Sequence, residues 1–179
     1  MKQKVIILRG SSGVGKSSVA SLLTKSLRKE VKRLAYLPVD VGYLFMRTHR
    51  EISREEKGEI MQENIELVLN NFLKRGFTVI LDGMFDRKHK NQPSVRRLIN
   101  IIKKYKVKTF VIELHAHLDI LHKRIDERSK KNSNAWNIPK DTEDRYKRFM
   151  DSLHKDAIII ETGKKSSKKV ANEILKVIK

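Results

Sequence analysis

The chain contains no cysteine, which removes disulfides, thiolate catalysis and cysteine-ligated zinc from consideration. No run approaches the roughly 18 consecutive apolar residues of a membrane span. The N-terminus passes straight into an apolar strand pattern without the layout of a secretory leader, so a cytoplasmic protein with no membrane association is expected. No internal repeat or linker-like stretch divides the 179 residues, and one domain over 1–179, long enough to bury a core, is the expectation. Acidic residues are scarce as well: 21 Asp and Glu face 40 Lys and Arg, for a formal charge of +19. A heat-adapted surface laced with ion pairs calls for near balance of the two signs. Pairing therefore cannot absorb the excess, and an excess of this sign favours nucleic acid or another polyanion.

What is present begins at Gly10-Ser11-Ser12-Gly13-Val14-Gly15-Lys16-Ser17, between the apolar run Val5-Ile6-Ile7-Leu8 and the helical pattern Ser18-Val19-Ala20-Ser21-Leu22-Leu23. This matches the phosphate-binding loop G-x-x-x-x-G-K-[ST] in full, with the strand before and helix after that the motif needs. Gly10, Gly13 and Gly15 permit backbone angles that let successive N–H groups turn inward around an anion. The helix adds its positive end, Lys16 can reach terminal phosphates, and the Ser17 hydroxyl can ligate Mg²⁺.

Further along, Leu34-Ala35-Tyr36-Leu37-Pro38-Val39-Asp40 reads as a second strand delivering Asp40 at its C-terminal end. There a carboxylate can accept a proton or hold a water on Mg²⁺, or simply cap a short helix. Ser53-Arg54-Glu55-Glu56 is a capping box that opens a helix ended by Gly76, with Ile60, Ile65, Leu67, Val68 and Phe72 as its expected inner stripe. Phe77-Thr78-Val79-Ile80-Leu81-Asp82 is a buried strand whose terminal acid suits support of Mg²⁺. From Arg87 to Lys108 the charges are Arg87, Lys88, Lys90, Arg96, Arg97, Lys103, Lys104, Lys106 and Lys108, a segment that reads as an electrostatic face or as a merely solvated one. A helix opens at Pro93-Ser94, and a fourth strand spans Lys108 to Leu114. Arg124 and Arg128 share a face of the next helix. They stand at the root of a polar, aperiodic stretch, about 129–140, that suits a lid, although a solvated arginine pair beside Asp126 and Glu127 fits the spacing equally. A helix from about Lys140 to Leu153, a fifth strand Ala157–Glu161 and a last helix complete the pattern. His115 and His117 share a strand face without a convincing third ligand and are read as ordinary residues. Strands alternating with helices argue for a parallel sheet covered on both faces.

With these motifs in hand, the chain resembles the small P-loop kinases, most nearly the polynucleotide 5′-hydroxyl kinase type, and is similar also to chloramphenicol phosphotransferase-like and adenylylsulfate kinase-like proteins. The carriers are Gly10 to Ser17, Leu37-Pro38-Val39-Asp40, Val79-Ile80-Leu81-Asp82, Arg124-Ile125-Asp126-Glu127-Arg128, and Ile138-Pro139-Lys140-Asp141 with Arg145-Tyr146. The resemblance implies an α/β P-loop fold with five parallel strands in the order 2-3-1-4-5 and a short lid. It implies ATP and Mg²⁺ as cofactors, held by Gly10, Ser11, Ser12, Gly13, Val14, Gly15, Lys16, Ser17 and Ser18, with Asp40 as general base. It places Asp82 toward the acceptor, Arg128 at the transferred phosphoryl group, and Arg124 near the adenine or the phosphates. The implied partner is a hydroxyl acceptor, an RNA or DNA 5′ end before a small metabolite. Tyr43 stands where polynucleotide kinases tend to carry an arginine that grips the acceptor phosphate, and Arg47 or Arg50 would have to substitute. A nucleotide switch without phosphotransfer is the remaining class, and for guanine it lacks an Asn-Lys-x-Asp sequence.

Overall fold

The computed structural model describes residues 2–42, 52–89, 92–131 and 141–179. Five parallel strands form one sheet: β1 (Lys4–Gly10), β2 (Leu34–Pro38), β3 (Thr78–Asp82), β6 (Lys108–His115) and β7 (Ile158–Glu161). Their spatial order is β2-β3-β1-β6-β7, which is the expected 2-3-1-4-5 of the five sheet strands. Sequence reading did not foresee a two-residue antiparallel pair, β4 (Lys88–His89) with β5 (Gln92–Pro93), between β3 and the next helix.

Central strands read as continuous apolar runs because both faces are covered. On one face Ile6, Leu8, Ile80 and Ile112 pack against α1 (Lys16–Leu27) and α7 (Ser167–Ile178). On the other, Val5, Ile7, Val79 and Leu81 meet α3 (Arg54–Lys74) and α4 (Ser94–Lys103). In register, Leu8 stands beside Asp82 on one side and Ile112 on the other, and Pro38 stands beside Asp82. The carboxyl ends of β2, β3 and β1 therefore open at one level, above which a ligand crevice belongs.

Several boundaries shift. The strand expected to deliver Asp40 stops at Pro38, and Asp40 lies in the first turn of α2 (Val39–Gly42). The Ser53 hydroxyl caps α3 by accepting from Glu56 N at 3.0 Å, as the capping box requires. The buried stripe of α3, however, is Met61, Ile65, Leu69 and Leu73, while Leu67 is 67% exposed and Val68 40%. Helix α5 (Leu118–Lys131) runs past residue 129, and α6 (Thr142–Met150) starts after 140, so most of the expected lid lies outside the described residues, as do Tyr43, Arg47 and Arg50.

Candidate phosphate-binding site

The loop between β1 and α1 takes its shape from glycine. Gly13 has φ 80°, and a Cβ there would lie 3.0 Å from the Ile125 side chain and 3.2 Å from the Leu121 carbonyl. Gly15, at φ 101°, precedes a helix whose first turn has no side-chain cap. The opening N–H groups of α1 are therefore left for a ligand, with the positive helix end behind them. A second clamp holds the loop from the C-terminal side: Thr162 Oγ1 donates to Val14 O at 3.2 Å, and the Thr162 N–H to His115 O at 2.7 Å.

Above this loop is a cavity of about 400 Å³ lined by residues 12–19, Asp40, Arg124, Arg128, Thr162, Lys165–Ser167 and Val170. The predicted residues Ser12, Gly13, Val14, Gly15, Lys16, Ser17, Ser18, Asp40, Arg124 and Arg128 thus share one wall. Gly10 and Ser11 lie beneath it, Ser11 buried with a hydroxyl that has no partner among the described residues. Asp82 stands behind the wall, 4% exposed. Arg124 is anchored to the turn after β7, donating to Thr162 O at 2.9 Å and Gly163 O at 3.4 Å, and its other Nη approaches Val14 O. Its aliphatic stem and guanidinium therefore form a fixed side of the cavity.

The Lys16 ammonium donates to Ser11 O at 3.1 Å. Loss of hydration pushes Lys16 below the ordinary lysine range against the pull of Asp82 and Asp40, and Arg128 pushes the same way as burial. Asp82 is held above the usual carboxylate range by burial, with Asp40 adding to it, although Lys16 and the hydroxyls of Tyr36 and Ser17 favour its ionised form. Tyr36 donates to Asp82 Oδ2 at 2.9 Å, and burial next to that carboxylate raises the phenol's pKa. Among the described residues no three acids or histidines form a metal cage. Ser17, Asp40 and Asp82 nevertheless fit Mg²⁺, which prefers phosphate and water oxygens with one or two carboxylates.

Sequence reasoning missed a second charged cluster directly below. Arg9 and Glu113 are neighbours in register on β1 and β6, both 0% exposed, and pair through Arg9 Nη1 and Glu113 Oε1. Arg9 also donates to Met84 O at 3.3 Å, Phe85 O at 3.1 Å, and both oxygens of Ser152 at 3.0 Å, with its guanidinium 5.5 Å from the Phe149 ring centroid. It thereby ties the phosphate loop's strand to the segment after Asp82 and to the end of α6. Arg148 adds an ion pair with Asp86 at 2.9 Å, and Arg145 on the same helix reaches Ser12 Oγ at 3.4 Å. A signal existed: Arg9 and Glu113 are the single charges in the otherwise apolar stretches Val5–Arg9 and Val111–Leu114.

Comparison with known proteins bears on the fold that carries this site. A family model described as "AAA domain" (AAA_33) matches residues 5–153. The structure of Mycobacterium tuberculosis APS kinase in complex with AMPPNP and APS superposes with a TM-score of 0.69 at 15% identity, covering 99% of this chain and 98% of that one. A gluconokinase from Sinorhizobium meliloti gives 0.65 at 12%, covering 97% and 90%. Chaetomium thermophilum Kti12 in complex with ADP-AlF3 gives 0.65 at 15%, covering 98% and 99%. At these identities the structural likeness establishes the fold. The family match covers most of the sequence, and the chain therefore belongs to the AAA domain family, with the fold of the small P-loop kinases.

Proposed function

We propose that the protein is an ATP-dependent kinase that transfers the γ-phosphate to a hydroxyl group, with the 5′-hydroxyl end of RNA or DNA as its preferred acceptor. One observation carries the reading: Lys16, Ser17, Asp40 and Arg128 line a single cavity with Asp82 behind it. The amides of residues 10–18 and the Lys16 ammonium hold the β- and γ-phosphates. Ser17, Asp82 and Asp40 would hold Mg²⁺, which when bound would neutralise charge on the phosphates. Asp40 orients the acceptor hydroxyl and takes its proton as oxygen bonds to phosphorus and the bond to the leaving ADP oxygen breaks. Arg128 meets the charge on the transferring group, and Arg124 bounds the nucleotide from the β7 side.

The nucleic-acid acceptor rests on the basic rim that follows Asp82, where Arg87, Lys88 and Arg96 stand around the β4–β5 turn and the start of α4. A small hydroxyl-bearing acceptor is the second reading, favoured by the APS kinase and the gluconokinase among the structural relatives. Incubation with γ-labelled ATP and 5′-hydroxyl oligonucleotides, alongside a metabolite panel, tests both. Label on an oligonucleotide supports the first and label on a metabolite alone supports the second. Stimulated release of free phosphate with no labelled acceptor points instead to an ATPase switch. Asp40→Asn should lower transfer by about 10²–10⁴-fold while ATP still raises the melting temperature; wild-type turnover in that variant removes Asp40 as the base.

A further inference from the structure

The strands β2, β3, β1 and β6 all begin at the end of the sheet opposite the phosphate loop, and the turns that feed them carry an unusual concentration of charge. The α1–β2 turn exposes Arg28, Lys29, Lys32 and Arg33. The α3–β3 turn exposes Lys74 and Arg75, and the α4–β6 turn exposes Lys103, Lys104 and Lys106, with Lys108 at the strand's first position. Both chain ends arrive at the same place. Gln3 Nε2 donates to Phe77 O at 3.0 Å, Lys4 Nζ bonds Ile178 O, and Thr78 N donates to Arg33 O at 2.8 Å. Exposed Lys2, Lys176 and Lys179 therefore join the row. Glu30 is the one acid in these segments, 3.9 Å from Lys179.

Two ordinary explanations fall short. Helix C-termini attract cations, but α1, α3, α4 and α7 each already have one in the last turn, Lys25, Lys74, Lys103 and Lys176. The others lie beyond that need. Local bonding neutralises little of this charge either: among the described residues Glu30 faces Lys179 alone, and other contacts are to neutral groups, Arg75 Nη1 donating to Asn71 O at 3.2 Å and Lys108 sitting 4.9 Å from the Phe110 ring centroid.

We propose that this end of the sheet is a nucleic-acid-binding surface that grips the phosphate backbone without reading sequence. Four adjacent strands set the turns along a row of about 14 Å, three spacings of ~4.8 Å, so successive cations can each meet a phosphate. Lysine is depleted from protein–protein interface cores, which disfavours an acidic protein. The feeding turns expose no large apolar side chain, Val177 on α7 being the one nearby, which disfavours insertion into a lipid surface. The surface is independent of the acceptor site, because the eight residues of β6 separate the two ends by about 26 Å at 3.3 Å per residue.

The test measures binding of fluorescent single-stranded RNA and DNA of about 20 nucleotides, longer than one site, bearing a 5′-phosphate so that neither is a kinase acceptor. Wild-type affinity should fall steeply as salt rises from about 50 to 200 mM. The triple variant Lys103→Glu, Lys104→Glu, Lys106→Glu should weaken binding at least about tenfold at low salt and flatten the logarithmic salt slope by about 2. The corresponding Lys→Arg triple should bind and melt as wild type, while the glutamate triple gives up the cation at the end of α4 and should melt slightly lower yet stay folded at the binding temperature. A control triple at the other end, Lys123→Glu, Lys130→Glu, Lys147→Glu, should change affinity by less than about twofold, since charges there lie beyond a Debye length. The proposal is overturned if the control triple abolishes binding, if the arginine triple does so, or if the protein binds phosphatidylserine vesicles but no oligonucleotide. Labelled transfer onto a 5′-hydroxyl oligonucleotide is scored separately, so the acceptor and this surface can fail independently.

Discussion

Two charged clusters lie next to each other in the centre of the sheet and have opposite characters. In the Arg9 cluster nearly every donor of the guanidinium has an acceptor, spread over β6, the segment after β3 and the end of α6. Glu113 Oε1 also takes the His154 N–H at 2.9 Å, and Oε2 faces His115 Nε2 at 3.7 Å. In the Lys16 cluster the ammonium has one loop carbonyl, and the carboxylate behind it is held toward its neutral form by burial and a second acid. A charge whose partners are all protein holds the fold together. A charge left short of partners has its interaction energy available for a ligand, which on the proposed function is a polyphosphate.

The contrast is broken or sharpened by substitution, and the largest effect belongs to the Arg9 cluster. Arg9→Met leaves Glu113 buried without its partner and should cost about 3–5 kcal/mol of stability, a fall in melting temperature of about 2–4 °C per kcal/mol for a chain of this size. The double variant Arg9→Met, Glu113→Leu should recover a large part of the loss, because a matched apolar pair avoids stranding either ion. A wild-type melting curve for the single variant would erase the distinction between the clusters. Lys16→Met does the reverse. It should reduce turnover about 10²–10³-fold and abolish the ATP-dependent rise in melting temperature, yet leave the nucleotide-free protein as stable as before, since burial already disfavours the ammonium.

A smaller effect separates the charges by pH. The folded-state pKa of Asp82 is raised above its unfolded value, so the folded chain binds more protons than the unfolded one between the two. Stability from this group is present below the unfolded pKa and is lost as pH rises through the folded pKa. Asp82→Asn keeps an acceptor for Tyr36 without the charge, and should raise the melting temperature of the nucleotide-free protein above that window. Below the window the two proteins should melt together, and with Mg²⁺ and ATP the variant should lose the advantage. Equal melting at every pH would mean that Tyr36, Ser17 and Lys16 satisfy the carboxylate fully.

The phosphate loop was legible because eight contiguous residues with fixed backbone demands encode it locally. Apolar runs separated by helical periodicity indicated a parallel sheet covered on both faces, whereas the order of its strands came from the resemblance to the P-loop kinases. Arg9 and Glu113 are 104 residues apart and meet only through strand register. Tyr36 was visible as an apolar strand residue, and nothing local says that its hydroxyl ends 2.9 Å from Asp82. Thr162 lies just past the last strand with nothing local to single it out, but its hydroxyl pins Val14 of the phosphate loop. Asp40 was placed at the correct end of the sheet and in the wrong element, because proline can close an edge strand and leave the next residues free to begin a helical turn.

The smallest effect applies the same rule, that surroundings decide a side chain's contribution, to residues without charge. A stripe of Ile60, Ile65, Leu67, Val68 and Phe72 spans too wide an arc for one helix face. The spacing of four that runs Met61, Ile65, Leu69, Leu73 is the one that meets the sheet. Leu67→Gln should change stability by less than about 0.5 kcal/mol, because its side chain is 67% exposed. Two residues away, Leu69→Ala should cost about 2–5 kcal/mol through the cavity it leaves. Denaturant melts of the two variants read the helix phase directly. A large loss at Leu67 would mean that this exposed face is covered in solution, and only then would α3 have a partner to account for.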